Sequence, residues 1–149
     1  MRKLRLQRID FEQIGRFLAG AAKKLAAARK TLGIDEEASY QLAYEAMLKA
    51  SLGFMLSFGV RPRSLPGHHI AIIEFCGQRL GSEHKGLMAL FDRMRRKRHQ
   101  SVYDATGFIS KYEAQQALET AEQYLSVLRE EIRKRNPGPN LPERLPAES

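Results

Sequence analysis

Apolar residues near the start of the chain recur at alternating steps of three and four. They are Phe11, Ile14, Leu18, Ala21, Leu25, Ala28 and Leu32. Because residues three and four apart share one face of an α helix, this spacing predicts a single helix with a continuous apolar stripe. Such a helix is stable in water only when other elements cover its stripe. The chain must therefore supply further helices.

Later segments repeat the pattern. A second stripe runs from Tyr40 to Phe58, a fourth helix is predicted at about 82–103, and a fifth at about 111–134. The apolar stretch 68–80 has residue types that also suit a strand, but its length and its helical neighbours favour a short buried helix. The predicted fold class is all-α, an antiparallel up-and-down four-helix bundle with an additional short helix.

Capping residues mark the ends of these helices. Asp10 and Asp35 precede the first two stripes and can accept hydrogen bonds from the N–H groups of a first turn. Ser110 and Glu113 have the spacing of a capping box before the last helix. Gly59 follows the second stripe, and glycine readily adopts the left-handed conformation that ends a helix.

Composition divides the chain into three parts. Residues 1–9 form a basic N-terminal arm, and residues 10–135 hold the helical bundle. Residues 136–149 contain four of the six prolines and are predicted to be a disordered tail. Within the bundle, residues 61–67 contain two prolines and are predicted to be a loop.

Several classes of protein are excluded. The single cysteine, Cys76, rules out a disulfide framework, and its apolar neighbours indicate a small core side chain. No uncharged stretch reaches the roughly 18 residues of a membrane helix, and the N-terminus lacks the apolar segment of a secretory signal. We therefore expect a soluble, cytoplasmic protein. No glycine-rich phosphate loop occurs and the histidines lack metal-ligand spacing, so neither a cofactor nor a metal is indicated.

The net charge of +8 is concentrated in blocks. Residues 1–34 carry nine bases and two acids, residues 35–60 carry one base and four acids, and five bases occupy positions 93–98. So dense a basic run costs helix stability, which a polyanion or an acidic partner would restore. The alternative is a basic face that is merely solvated. The nucleic-acid-binding residues predicted here are Arg93, Arg95, Arg96 and Lys97.

Several motifs in order resemble the HEPN domain (higher eukaryotes and prokaryotes nucleotide-binding). Residues 43–50 resemble its helix with alanine, tyrosine, alanine and methionine. Residues 59–64 and the histidine that follows them resemble its glycine turn and loop. Arg98, residues 103–104 and the capped last helix resemble its final two helices. The resemblance covers about residues 10–135.

The resemblance implies a homodimer that binds RNA or a nucleotide, and in many relatives a metal-independent ribonuclease toxin with a minimal nucleotidyltransferase as its antitoxin. The family motif consists of an arginine, a polar residue, three to five further residues and a histidine. Arg98 and His99 take the first two places, and Tyr103 stands where the final histidine is expected. A second register joins Arg93 to His99. In the first register, Arg98 would hold the phosphate and His99 would exchange protons.

Three functions stay open at this point. The first is an RNA-binding ribonuclease toxin, and the second is a non-catalytic HEPN module that binds a nucleotidyltransferase partner or a nucleotide. The third is a structural bundle with a basic surface. For a homodimer, we expect Glu36, Glu37 and Glu45 to lie near basic side chains of the second copy.

Overall fold

The computed structural model describes residues 4–63, 67–105 and 108–135. Within these residues, five α helices hold most of the chain, and a short 3₁₀ turn at Ser82–His84 leads into the fourth. The predicted all-α bundle with an additional short helix is confirmed, and the tail 136–149 lies outside the described residues. The helices are α1 Phe11–Thr31, α2 Glu36–Leu56, α3 His68–Leu80, α4 Lys85–Tyr103 and α5 Lys111–Arg135.

Helix α2 lies at the centre of the bundle and packs against the other four helices. Twelve of its 21 residues are buried, which is more than a single apolar stripe provides. Gly53 permits the close approach of α1, because a Cβ at this position would lie 3.2 Å from the Cβ of Phe17. A helix covered on several sides needs small residues as well as apolar ones, and α2 supplies both.

The stripes predicted for the outer helices largely face the core. Five of the seven stripe positions of α1 are buried, and the two that are not, Phe11 and Leu32, stand at its ends. For α5 the apolar spacing predicts six core positions, and all of them are buried: Ala114, Ala117, Ala121, Tyr124, Leu128 and Ile132. For α4 it predicts that Leu87, Leu90, Phe91 and Met94 point inward, but Leu90 is 38% exposed. The core-facing side of α4 is narrow and consists of Leu87, Met88, Phe91 and Met94.

The predicted helix caps are present. The carboxylates of Asp10 and Asp35 accept hydrogen bonds from N–H groups in the first turns of α1 and α2. The Ser110 hydroxyl accepts a hydrogen bond from the Glu113 N–H, and the Glu113 carboxylate accepts one from the Ser110 N–H, both at 3.0 Å. These reciprocal bonds satisfy donors that the helix itself leaves without partners.

Part of the basic N-terminal arm is a strand. Residues Leu4–Leu6 (β1) pair antiparallel with Val60–Pro62 (β2), which includes two positions predicted as loop. Gly59, at a φ of +76°, turns the chain from α2 into β2, and its carbonyl accepts a hydrogen bond from the Gln7 N–H at 2.8 Å. Three residues are too few for the alternating pattern that predicts a strand. The pairing ties the arm to the end of α2.

Cys76 is a core side chain, as predicted. It is fully buried, and burial raises the pKa of its thiol to about 11. It lies beside a buried polar pair in which the hydroxyls of Ser51 and Tyr124 are 2.7 Å apart. A thiol that stays protonated inside the core is unsuited to act as a nucleophile.

Replacing Gly59 with alanine should destabilise the protein by about 1 to 2 kcal/mol, because a Cβ disfavours the left-handed backbone conformation. The added atom would also lie 3.3 Å from the backbone carbonyl oxygen of Gln7. Gly15→Ala is the matched control: Gly15 lies within α1, and an added Cβ meets nothing within 4 Å. That change should stabilise the helix by about 0.5 to 1 kcal/mol. Urea unfolding measures both free energies, and equal effects would contradict this account of the turn.

Candidate nucleic-acid interface

The basic run 93–98 lies on α4, where its side chains line two neighbouring depressions, and Arg93 and Lys97 also line a third one beside Glu113. Arg95 and His99 border both, so the two depressions form one continuous basic surface. The histidine groove, of about 460 Å³, is lined by Tyr44, Gly67, His68, His69, Ile70, Arg95, Arg98 and His99. The arginine groove, of about 430 Å³, is lined by Arg93, Arg95, Arg96, Lys97, His99 and Gln100.

Carboxylates of the same chain partly neutralise the run. Asp92 accepts hydrogen bonds from Arg95 at 2.9 Å and from Arg96 at 2.6 Å. The ammonium of Lys97 lies 3.5 Å from the carboxylate of Glu113. Part of the repulsion that was expected to need an external partner is therefore reduced within the protomer.

Arg98 is held at the histidine groove by an aromatic ring. Its guanidinium carbon lies 5.7 Å from the centroid of the Tyr44 ring. Its Nε is buried and has no hydrogen-bond partner among the described residues, and none of the ion pairs found within them includes Arg98. A buried donor without an acceptor costs about 1–3 kcal/mol. An anion in the groove would supply a compensating charge for the guanidinium.

Tyr44 also positions His69. The Tyr44 hydroxyl and the Nδ1 of His69 are hydrogen-bonded at 3.0 Å. Burial lowers the pKa of His69 below its ordinary value, and the positive charges of His68, Arg98 and Arg95 lower it further. The ring is therefore neutral at pH 7. In the tautomer whose proton is on Nδ1, the hydrogen bond runs to the Tyr44 oxygen and Nε2 keeps a lone pair that can accept a proton.

His99 and Tyr103 lie one turn apart on α4, with ring centroids 4.7 Å apart. His99 lines both grooves together with Arg95, whereas Tyr103 lines neither of these two grooves and is 75% exposed. Of the three residues predicted as catalytic, the structure brings Arg98 and His99 together and leaves Tyr103 beside His99. Arg93, from the second register, lies with His99 in the arginine groove and not in the histidine groove.

Two residues of the histidine groove were missed in the sequence. The stripe of the second predicted helix places Tyr44 in the core, where it is indeed fully buried, and its hydroxyl bonds His69 at the groove. For His69, the sequence predicts a residue at a loop-to-helix junction that hydrogen-bonds the chain. A signal was nevertheless present: antiparallel packing of the predicted helices 68–80 and 82–103 places the start of the first beside the end of the second. His69 and His99 occupy those two ends.

Comparison with other proteins identifies no relative: no family model, no curated protein and no solved structure matches this chain. The resemblance to the HEPN domain stays a prediction from sequence motifs. Across the described ranges, no helix is both long and apolar enough to cross a bilayer. The same ranges contain no group of three histidine, cysteine or acidic side chains placed to share a metal ion.

The His69 ring should titrate below about 6.5, the ordinary histidine value, in NMR spectra of histidine-labelled protein. Removing the charge of a groove arginine by Arg98→Gln should raise the midpoint, whereas Arg133→Gln, on the exposed face of α5, should leave it unchanged. Because the folded-state pKa is depressed, the contribution of His69 to stability is complete above about pH 6.5 and is lost as the pH falls from there through the folded pKa. A midpoint at or above 6.5 would contradict the buried, arginine-flanked geometry.

Proposed function

We propose that this chain is a cytoplasmic, HEPN-type protein that binds RNA along α4 and cleaves it in the histidine groove without a metal ion. The observation that carries the proposal is the meeting of His69 and His99 with Arg95 and Arg98 around one depression. Arginine binds a phosphate through its planar fork of N–H donors. Histidine exchanges protons near neutral pH. Phosphodiester cleavage requires both functions at the same site.

In the proposed reaction, the 2′-hydroxyl oxygen of the RNA attacks the adjacent phosphorus. The bond from phosphorus to the 5′ oxygen of the next nucleotide breaks, leaving a 2′,3′-cyclic phosphate and a 5′-hydroxyl. Nε2 of His69 takes the 2′-hydroxyl proton, and the protonated ring of His99 gives a proton to the departing oxygen. Arg98 faces the phosphate and stabilises the charge that develops on it.

The different surroundings of the two histidines support this division of roles. His69 is half-buried, bonded to Tyr44 and neutral, as a general base must be. His99 is exposed to solvent, from which it can regain a proton after each turnover. Enzymes assign acid and base roles in this way, by giving two titratable groups unlike environments.

Cleavage of a single-stranded RNA tests the reaction. His69→Asn, His99→Asn and Arg98→Gln should each reduce the rate by about a hundredfold or more, because each removes a proton-transfer or charge-stabilising group. His84→Asn is the matched control, since His84 lies in the 3₁₀ turn and lines neither groove. Tyr103→Phe and EDTA should have little effect. RNA left intact by a stoichiometric amount of folded protein would replace this function with the non-catalytic module.

That second function, binding of a nucleotide or of a nucleotidyltransferase partner, uses the same basic surface. RNA binding along this surface predicts that affinity falls as salt rises, with a log–log slope of about −0.7 for each phosphate contacted in a single strand. Arg93→Gln and Lys97→Gln should therefore each flatten the slope, and Lys30→Gln, on α1, should not. Fluorescence anisotropy between about 50 and 200 mM salt measures the RNA affinity and therefore the slope. An unchanged slope in both groove variants would show that the run is a solvated face.

The proposal includes a homodimer and an antitoxin partner, as the resemblance implies. Large apolar side chains are exposed where the chain leaves α4 and enters α5, and such exposure favours a protein contact there. Glu45, which we expect near basic side chains of a second copy, is also paired with Lys24 of its own chain at 3.1 Å. The exposed side chains are Val102, Tyr103, Phe108 and Tyr112.

A further inference from the structure

A separate cavity of about 270 Å³ shares two lining residues, His68 and His69, with the histidine groove. Its lining combines apolar side chains from α1, α2 and α3, among them Phe17 and Leu52, with polar ones. Phe17 and Leu52 pack against the core but are only partly buried. A concave site with an apolar wall and a few polar groups is the usual form of a small-molecule pocket.

The polar part of the cavity combines the side-chain amides of Gln7 and Gln13 with Arg61, Arg63, His68 and His69. Gln13 lies in the first turn of α1, and Gln7 follows strand β1. The side-chain oxygen Oε1 of Gln7 lies 3.5 Å from Nη1 of Arg61 on β2, at the long limit of a hydrogen bond. An amide offers an N–H donor and a carbonyl acceptor side by side, which complements the edge of a nucleobase.

We infer that this cavity receives the base of the nucleotide whose phosphate lies in the histidine groove, an inference that rests on the proposed function. The Phe17 ring provides a surface for stacking, and the amides of Gln7 and Gln13 bond to the edge of the base. The shared wall, residues 68–69, places the base on one side and the phosphate on the other. The RNA is then bound with one base turned out of its stack.

The size of the cavity restricts the substrate. Its volume lies just below the usual range for small-ligand pockets, about 300–1,000 Å³, so it suits one ring system and not a stack of bases. A base that stays paired and stacked cannot enter, because its edge is already bonded and both of its faces are covered. Turning a base out of a duplex costs a few kcal/mol, so the cavity favours single-stranded RNA, including loops and ends, over duplex RNA.

Calorimetric titration tests the base cavity and the phosphate groove separately. The ligands are nucleoside monophosphates and ribose 5-phosphate, which lacks a base. The unmodified protein should bind at least one nucleotide about tenfold more tightly than ribose 5-phosphate. Gln13→Ala and Leu52→Phe should remove most of this advantage without weakening ribose 5-phosphate. Gln78→Ala, an exposed glutamine on α3, is the matched control and should retain it. Arg98→Gln should weaken nucleotides and ribose 5-phosphate alike.

The outcomes distinguish the inference from the function on which it rests. Equal affinity for ribose 5-phosphate and for all the nucleotides would overturn the base cavity while leaving the phosphate groove in place. An advantage that persists in both Gln13→Ala and Leu52→Phe would overturn it as well. If Leu52→Phe fails to fold, as circular dichroism would show, Gln13→Ala alone decides. Failure of the unmodified protein to bind RNA, nucleotides and ribose 5-phosphate would refute the proposed function itself.

Discussion

The ring of Tyr44 connects the core of the bundle to the candidate site. It is fully buried on the central helix and packs edge-on against Phe91, which in turn contacts Tyr124 of α5. Its hydroxyl bonds His69, and its face lies beneath the guanidinium of Arg98. Burial also raises the pKa of this phenol, so the hydroxyl keeps its proton. One side chain thus fixes two groove residues that come from different helices.

This arrangement sets the electrostatics of the groove. Burial is the main cause of the lowered pKa of His69, and the positive charges of His68, Arg98 and Arg95 lower it further, so the ring is neutral at pH 7. The Nε of Arg98 is also buried and has no surface exposed to water. A site that combines a neutral imidazole with incompletely satisfied cations is better suited to a phosphate group than to a metal cation, which the arginines would repel.

The helices and their caps could be predicted because their signals are local. The alternating spacing from Phe11 to Leu32, and the Ser110–Glu113 box, each lie within a few turns of one segment. The strand pair could not be predicted, since Leu4–Leu6 and Val60–Pro62 lie 54 or more residues apart and each strand is only three residues long. The residues of the candidate site also differ in whether their signal is local. Arg98 and His99 are adjacent in sequence, whereas His69 joins them only through tertiary packing.

The double ion pair of Asp92 affects which anions the basic surface can hold. Its carboxylate bonds Nε of Arg95 and Nη1 of Arg96, two donors for which an incoming phosphate would compete. A small free anion must displace the Asp92 carboxylate while it is bound at only one point. A polymer held at several neighbouring points meets the same competitor at a high effective concentration, and so exchanges with it far more readily. Under the proposed function, Asp92 would thereby favour chains of phosphates over the abundant small anions of the surrounding solution.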